Sequence, residues 1–335
     1  MTTSDLPNAA KQSWHRFLET YEPLRPELYR YCRYLTRSPW DAEDLAQDTL
    51  ARAFATLARM TEDPANPRVW LFRIASNLWI DQVRRRREAP GDVPEPEAVV
   101  TEPRGPREAA GTLLVKLSPQ ERAAVVLKDV FDLSLEETAA ALGTTVGGIK
   151  AALHRGRGKL VDDDAPESPA APVPGALDAF CAAFNAGDLD RLTSLLLDSA
   201  VVEVVGATTQ YGPEAARRTV LTGMLFGSRI LADPKARIGV EPRFRQGALP
   251  DAPRCEVRSH RGRWLLVHWY KHQDGEAVRA FTTLEVEGDR VARLANYFYT
   301  PDFLADLGAE LGVPVRVNGY RWWLREEAPP PEPRR

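Results

Sequence analysis

Along the N-terminal part of the chain, apolar positions return at helical spacing. Trp14, Phe17, Leu18, Tyr21, Leu28, Tyr31 and Leu35 recur at steps of three, four or seven and mark one apolar stripe. Pro23 and Pro26 interrupt it, so two helical pieces are expected. Asp41 then stands as an N-cap candidate before a second stripe of Ala42, Leu45, Ala46, Thr49, Leu50, Ala53, Phe54 and Leu57. A polar loop at 61–67 leads to a third helical pattern from Arg68 to Arg87, with Trp70, Leu71, Ile74, Leu78 and Val83 as its apolar positions.

A second body, 111–161, is also helical. Ser118-Pro119-Gln120-Glu121 and Ser134 with Glu137 are capping boxes, each opening a helix. The first runs to about Asp129 and the second to Leu142, where Gly143 supplies a left-handed stop. A further helix spans about Val146 to Leu160. The third body, 175–325, changes character. Helical patterns at 176–186 and 189–196 give way to runs rich in β-branched and aromatic residues at 263–270, 277–286 and 290–299. Glu287-Gly288-Asp289 between the last two is a hairpin signal. The fold class is therefore multidomain: two all-α domains followed by an α+β domain.

Proline marks the boundaries. Of 27 prolines, clusters fall in 88–110, in 162–174 and in the tail 326–335, which read as extended linkers and a loose end. The bodies they bracket are 10–87, 111–161 and 175–325. A chain of 335 residues with 44% hydrophobic content suits such an arrangement of globular domains. No run approaches the roughly 20 apolar residues of a membrane span. The N-terminus lacks the pattern of an export signal, so a cytoplasmic protein without membrane contact is expected. Cys32, Cys181 and Cys255 lie far apart, in no disulfide or zinc spacing, and read as three structural thiols in a reducing compartment. No metal and no cofactor is expected.

The net charge of −3 hides local asymmetry. Residues 134–160 have the spacing of a helix-turn-helix. Its second helix carries Lys150, His154, Arg155, Arg157 and Lys159, with no acid between 138 and 161. Such a helix reads base edges near its N-terminus and meets phosphates beyond it. Thr144, Thr145, Gly147, Gly148 and Lys150 are the groove-facing candidates; the alternative is a surface hairpin with solvated charges. Arg84, Arg85, Arg86 and Arg87 surround a helix end that also carries Trp70, Phe72 and Trp79, which suits phosphate contact and base stacking or, equally, a solvated end above a packed core. Asp41, Glu43, Asp44 and Asp48 crowd the start of the preceding helix, where the dipole favours anions. Acids there serve as caps or as a face for a protein partner.

Three segments in order carry a resemblance: DAEDLAQDTLARAF (41–54), RVWLFRIASNLWIDQVRRRR (68–87) and LSPQERAAVVLKDVFDLSLEETAAALGTTVGGIKAALHRGRGKL (117–160). Together they resemble extracytoplasmic-function (ECF) sigma factors of the sigma-70 family over roughly 14–160. The resemblance implies that 10–87 is region 2, which binds the RNA polymerase β′ subunit and opens the −10 element, and that 111–161 is region 4, which reads −35. It implies polymerase contact by Asp41, Glu43, Asp44, Gln47 and Asp48. It implies −10 contact by Asp63, Asn66, Arg73, Asn77 and Arg84–Arg87. The −35 contacts would come from Thr144, Thr145, Gly147, Gly148, Lys150, His154 and Arg155. The partners implied are RNA polymerase core, through β′ and β, and promoter DNA.

ALDAFCAAFNAGDLDRLTSLL (176–196) and FTTLEVEGDRVARLANYFYTPDFL (281–304) resemble a SnoaL-like domain of the NTF2 fold, a cone of curved sheet closed by helices. The resemblance implies that this extension modulates activity, with contact to the sigma domains expected. Some members of this fold are cyclases or isomerases, and His268, Tyr297 and Tyr299 are the pocket candidates. The expectation is a sigma factor with a fused regulatory domain and no catalytic residue. The alternatives are a SnoaL-type enzyme tethered to a DNA-binding module and an autonomous helix-turn-helix repressor.

Overall fold

The computed structural model describes residues 6–88, 117–157, 174–225, 253–272 and 274–320. Most of the proline-rich stretches 88–110 and 162–174, and all of the tail 326–335 and Lys159, lie outside these residues, as does the side chain of Arg87. The chain divides into two compact units, Met1–Glu167 and Ser168–Arg335.

The first unit is all helical. Helix α1 (Leu6–Tyr21) and helix α2 (Arg25–Thr36) are separated by one 3-10 turn, Glu22–Leu24, with Pro23 and Pro26 in the first turns that follow each break. Proline interrupts the stripe there because it has no amide hydrogen to continue the ladder. Helix α3 (Pro39–Leu57) starts earlier than the Asp41 cap expected from its acids. Ser38 is the N-cap, its hydroxyl accepting from the Asp41 amide at 3.4 Å, and Pro39 occupies the first turn. The Ser-Pro pair outcompetes Asp41 because proline already has the φ that a helix start requires. Helix α4 spans Pro67–Glu88.

Both capping boxes form. Ser118 and Glu121 open α5 (Pro119–Val125), which continues as a π-helical turn through Val130; Ser134 and Glu137 open α6 (Leu135–Leu142). Gly143 closes α6 with φ +59, and α7 (Val146–Arg157) follows. Helices of the two helical modules share a core. Phe131, 7% exposed, stands edge-on to Tyr31, Phe72 and Tyr34 at centroid distances of 5.7, 5.3 and 6.2 Å. Buried Arg122 donates to the Leu35 carbonyl at 2.7 Å and lies over the Trp79 ring.

The second unit is α+β. Helices α8 (Gly175–Ala186) and α9 (Leu189–Ser194) precede strand β1 (Leu196–Val204) and strand β2 (Thr208–Tyr211). Helix α10 begins at Pro213–Ala216 and passes through a π segment, Arg217–Leu221, into Thr222–Met224. Strands β3 (Arg254–His260), β4 (Arg263–His272), β5 (Gly275–Glu287) and β6 (Arg290–Tyr297) complete the sheet before helix α11 (Pro301–Leu311). The strand order is β2-β1-β6-β5-β4-β3, with β1 and β6 parallel and all other pairs antiparallel. Register shifts interrupt the β1–β6, β4–β5 and β5–β6 ladders, and such bulges bend a sheet. Phe180, Phe184, Leu192, Val202, Leu221, Leu266 and Leu294 fill the core between one face and helices α8 to α10. On the other face Phe303 of α11 packs on Phe281 and Tyr297.

The sequence pattern predicts none of strands β1, β2 and β3, and the helix expected to reach 196 ends at Ser194, with β1 beginning at Leu196. The hairpin at 287–289 is present, with Gly288 at φ +64 between β5 and β6.

Candidate nucleic-acid interface

Helix α4 carries a polar stripe. Asn66, Arg73, Asn77 and Arg84 are all exposed and stand 7, 11 and 18 positions from the first, which are nearly whole numbers of turns. Asn66 also caps the helix, its side-chain oxygen accepting from the Val69 amide at 3.1 Å, so the stripe begins at the helix dipole's positive end. Its amide lies 3.5 Å from Glu137 of α6. Asp63 is exposed in the loop before it. Arg84, Arg85 and Arg86 are exposed at the far end, where Arg84 pairs with Asp81 at 3.1 Å. Trp79 and Phe72 are buried in the shared core and offer no face for base stacking in this arrangement, whereas Trp70 is half-buried against Tyr21.

Helix α7 is held by its neighbours on one side. Thr145 caps α7, accepting from the Gly148 amide at 3.1 Å, while Ile149, Ala152 and Leu153 are buried. Thr145, Gly147, Lys150, His154 and Arg155 are exposed, and Thr144 and Gly148 are half-buried. Gly156 faces α5, where an added Cβ would lie 3.0 Å from the Val125 side chain, so this glycine lets the two helices approach closely. Arg155 pairs with buried Glu121 at 3.1 Å, and Arg157 with Asp129 through its Nε at 3.1 Å. Both arginines are thus engaged on the protein as well as near the candidate DNA face. Lys150 and His154, one turn apart, share the outward face.

The acidic set divides. Asp41, Asp44 and Asp48, at steps of three and four, form one outward stripe on α3, with Asp41 half-buried. Glu43 points the other way. It is 1% exposed, accepts from Arg25 at 2.7 Å and from Gln47 at 2.6 Å, and is part of the core. Glu43 is thus turned inward from the aspartate stripe, since a buried carboxylate needs an internal cation and Arg25 of α2 supplies it, while half-buried Gln47 donates to it from the next turn.

In the second unit, buried His268 donates to or accepts from Thr282 at 2.9 Å, and Asn296 donates to the same hydroxyl at 2.8 Å. These residues lie on adjacent strands β4, β5 and β6, on the face covered by Phe184 of α8. Burial drives the His268 pKa down to about 3, which keeps the ring neutral. Tyr297 follows Asn296 in β6 and therefore projects from the opposite face, where it stacks on Phe303. Tyr299 lies beyond the strand beside Phe298. The structure does not bring His268 and Tyr297 into one pocket. Among the described residues there is no cluster of His, Cys, Asp and Glu that could hold a metal, and no helix is long and apolar enough to cross a membrane.

An acidic face on α3, a polar stripe on α4 and the α6–α7 helix-turn-helix thus stand together in one all-helical unit. The family model for sigma-70 region 2 matches residues 20–89, and that for sigma-70 region 4 matches 107–160. RNA polymerase sigma-E factor of Streptomyces coelicolor is 34% identical over 151 residues, covering 44% of this chain and 85% of its own. The chain belongs to the sigma-70 family, in its ECF group. ECF sigma factor SigE of Mycolicibacterium smegmatis is 34% identical over 166 residues, covering 46% of this chain and 62% of its own. SigJ of Mycobacterium tuberculosis is 31% identical over 217 residues, covering 59% of this chain and 67% of its own. The chain spans about three fifths of the length of the first curated relatives it matches. The similarity to SigJ takes in more of this chain than the first unit holds, and so runs into the second.

Proposed function

We propose that this protein is a promoter-specificity subunit of RNA polymerase. Polymerase core engages the Asp41–Asp44–Asp48 stripe of α3. The −10 element is captured by Asp63 and by the Asn66–Arg73–Asn77–Arg84 face of α4, with Arg85, Arg86 and Arg87 on nearby phosphates. The −35 element is read by Thr144, Thr145, Gly147, Gly148, Lys150, His154 and Arg155. The observation that carries this reading is the α4 stripe: four exposed polar residues in line on one helix, in the same unit as a helix-turn-helix. A base drawn out of the duplex costs a few kcal/mol to unstack, so a polar trap is needed where strands part. Two modest DNA contacts on one chain then reinforce each other through effective concentration.

The second unit is read as a SnoaL-like domain that tunes this activity without chemistry of its own. The separation of His268 from Tyr297 by the thickness of the sheet supports that reading over an enzyme. A repressor has no use for an acidic stripe beside a basic helix.

Run-off transcription with purified polymerase core tests the proposal. The intact chain should direct initiation at discrete genomic start sites. Asn77→Ala should keep core binding but lose open complexes, and Asp44→Arg should lose core binding. A chain ending at residue 167 should change promoter output. Absence of initiation at every genomic start site would overturn the reading.

A further inference from the structure

Helix α8 and edge strand β3 meet at a pair of thiols. The Cys181 thiol on α8 donates to the main-chain carbonyl of Cys255 on β3 at 3.2 Å, which sets the two cysteines beside each other. Asn185, one turn along α8, fixes the alignment. Its side-chain oxygen accepts from the Cys255 amide at 2.7 Å, and its side-chain nitrogen donates to the Cys255 carbonyl at 2.8 Å. One side chain thus satisfies both backbone groups of a residue on a sheet edge, as a further strand would. The same nitrogen approaches the Cys181 sulfur at 3.6 Å. Neither cysteine is in a disulfide.

The two thiols are chemically unlike. Cys181 is half-buried, and hydrogen bonding from the Cys255 thiol holds its pKa below the ordinary value, against burial and the nearby carboxylates of Asp178 and Glu256; Asn185 adds a weaker pull in the same direction. Cys255 is buried; its donation to Cys181, with burial behind it, pushes its own thiol well up. A reachable thiol that ionises readily, beside a hidden one that does not, is the pairing of an attacking and a resolving cysteine. Cys32 is fully buried in the first unit, where burial raises its pKa, and serves as an internal control.

We propose that Cys181 and Cys255 form a dithiol oxidised by hydroperoxides to a disulfide that ties α8 to β3. The Cys181 thiolate attacks one peroxide oxygen. The O–O bond breaks, the sulfur becomes a sulfenic acid, and the departing oxygen leaves protonated, as water when the oxidant is hydrogen peroxide. The Cys255 thiol then attacks the Cys181 sulfur. The S–S bond forms as the S–O bond breaks, and hydroxide leaves with the Cys255 proton as a second water. Two thiols give up two electrons and one peroxide takes them. A thiol reductant reverses the step by exchange. Disulfides in reducing compartments are characteristically transient and redox-sensing, so this pair is a modification site on the second unit rather than a permanent brace.

The test uses the full-length protein, hydrogen peroxide as the probe, a thiol count under denaturing conditions and a non-reducing peptide map. Free thiols should fall from three to one, with the peptides bearing Cys181 and Cys255 joined, and dithiothreitol should restore all three. In Cys255→Ala the reaction should stop at a Cys181 sulfenic acid that dimedone traps. Cys32→Ala should behave as the parent chain. The proposal is overturned if all three thiols survive peroxide that oxidises glutathione in the same tube. A bridge between chains or through Cys32, or a sulfinic acid at Cys181 without any bridge, overturns it equally. The measurement on the unmodified chain decides the matter even if a variant fails to fold.

Discussion

Arg122 of α5 donates to the carbonyl oxygen of Leu35 near the end of α2, across 87 positions of sequence, at 2.7 Å. The group it satisfies is one of the orphan acceptors every helix end carries, and its guanidinium also covers Trp79 at 5.3 Å from the ring centre. Arg122→Ala should destabilise the first unit by roughly 2–3 kcal/mol, the sum of a charged hydrogen bond and a desolvated cation–π contact. Urea unfolding followed by tryptophan fluorescence measures this. Arg122→Lys should recover only part of the loss, because an ammonium lacks the planar fork that bonds and stacks together.

The Arg25–Glu43 pair separates structure from partner binding. Both side chains are almost fully buried, so Arg25→Ala strands a carboxylate in the core and should cost about 3–5 kcal/mol. Glu43→Gln keeps an acceptor and should cost less. In a core-polymerase pull-down, Glu43→Gln should bind nearly as the parent does, while Asp44→Arg should not. Equal loss in both would mean that α3 turns its buried edge outward on binding.

His268 gives the second unit an acid sensitivity with a definite sign. Its folded pKa, about 3, lies below the ordinary 6.5, so between these values the unfolded chain binds the proton that the folded one refuses. Stability therefore rises with pH through that window; the contribution is complete above pH 6.5 and is lost as pH falls toward 3. The total is on the order of a few kcal/mol. Urea midpoints measured from pH 7 to 4 should fall less steeply in His268→Leu than in the parent. Parallel curves would show that the histidine is not held neutral.

Gly308 is a packing requirement in the interior of α11. A Cβ there would stand 2.1 Å from a methyl of Val315, in the segment where Val313 donates to the Gly308 carbonyl and Arg316 to the Val278 carbonyl. Alanine ordinarily gains about 1 kcal/mol over glycine inside a helix. Here the clash outweighs it, and Gly308→Ala should lower stability by a net 1–2 kcal/mol or so, as overpacked sites do. Thermal unfolding reads the sign directly.

Local chemistry was the legible part of this chain. Capping boxes, the Gly143 stop and the proline break between α1 and α2 are each decided within a few residues, and each formed where the pattern placed it. The start of α3 is set by the Ser38-Pro39 pair rather than by the acids that follow it. Strands β1 and β3 were missed because they depend on partners far away: β1 lies parallel to β6, and β3 pairs with β4. The same holds for the site. The basic outward face of α7 follows from spacing alone. Nothing in the spacing says that Glu43 turns inward to Arg25, that Phe131 packs edge-on against the Tyr31–Phe72 pair, or that Cys181 finds Cys255, since all three are long-range meetings.

Under the proposed function, the shared core around Phe131 has a consequence for promoter spacing. Elements named −10 and −35 lie roughly 25 base pairs, or about 85 Å, apart at 3.4 Å per pair. Helices α4 and α7 sit within one compact unit, yet the 28 residues from 89 to 116 could reach about 90 Å at full stretch. Occupying both elements at once thus demands that Phe131 leave its aromatic socket and Arg122 release Leu35. On the proposed function the first unit is a shut clasp, and whatever draws α4 and α7 apart must supply the work of opening it before both elements are held.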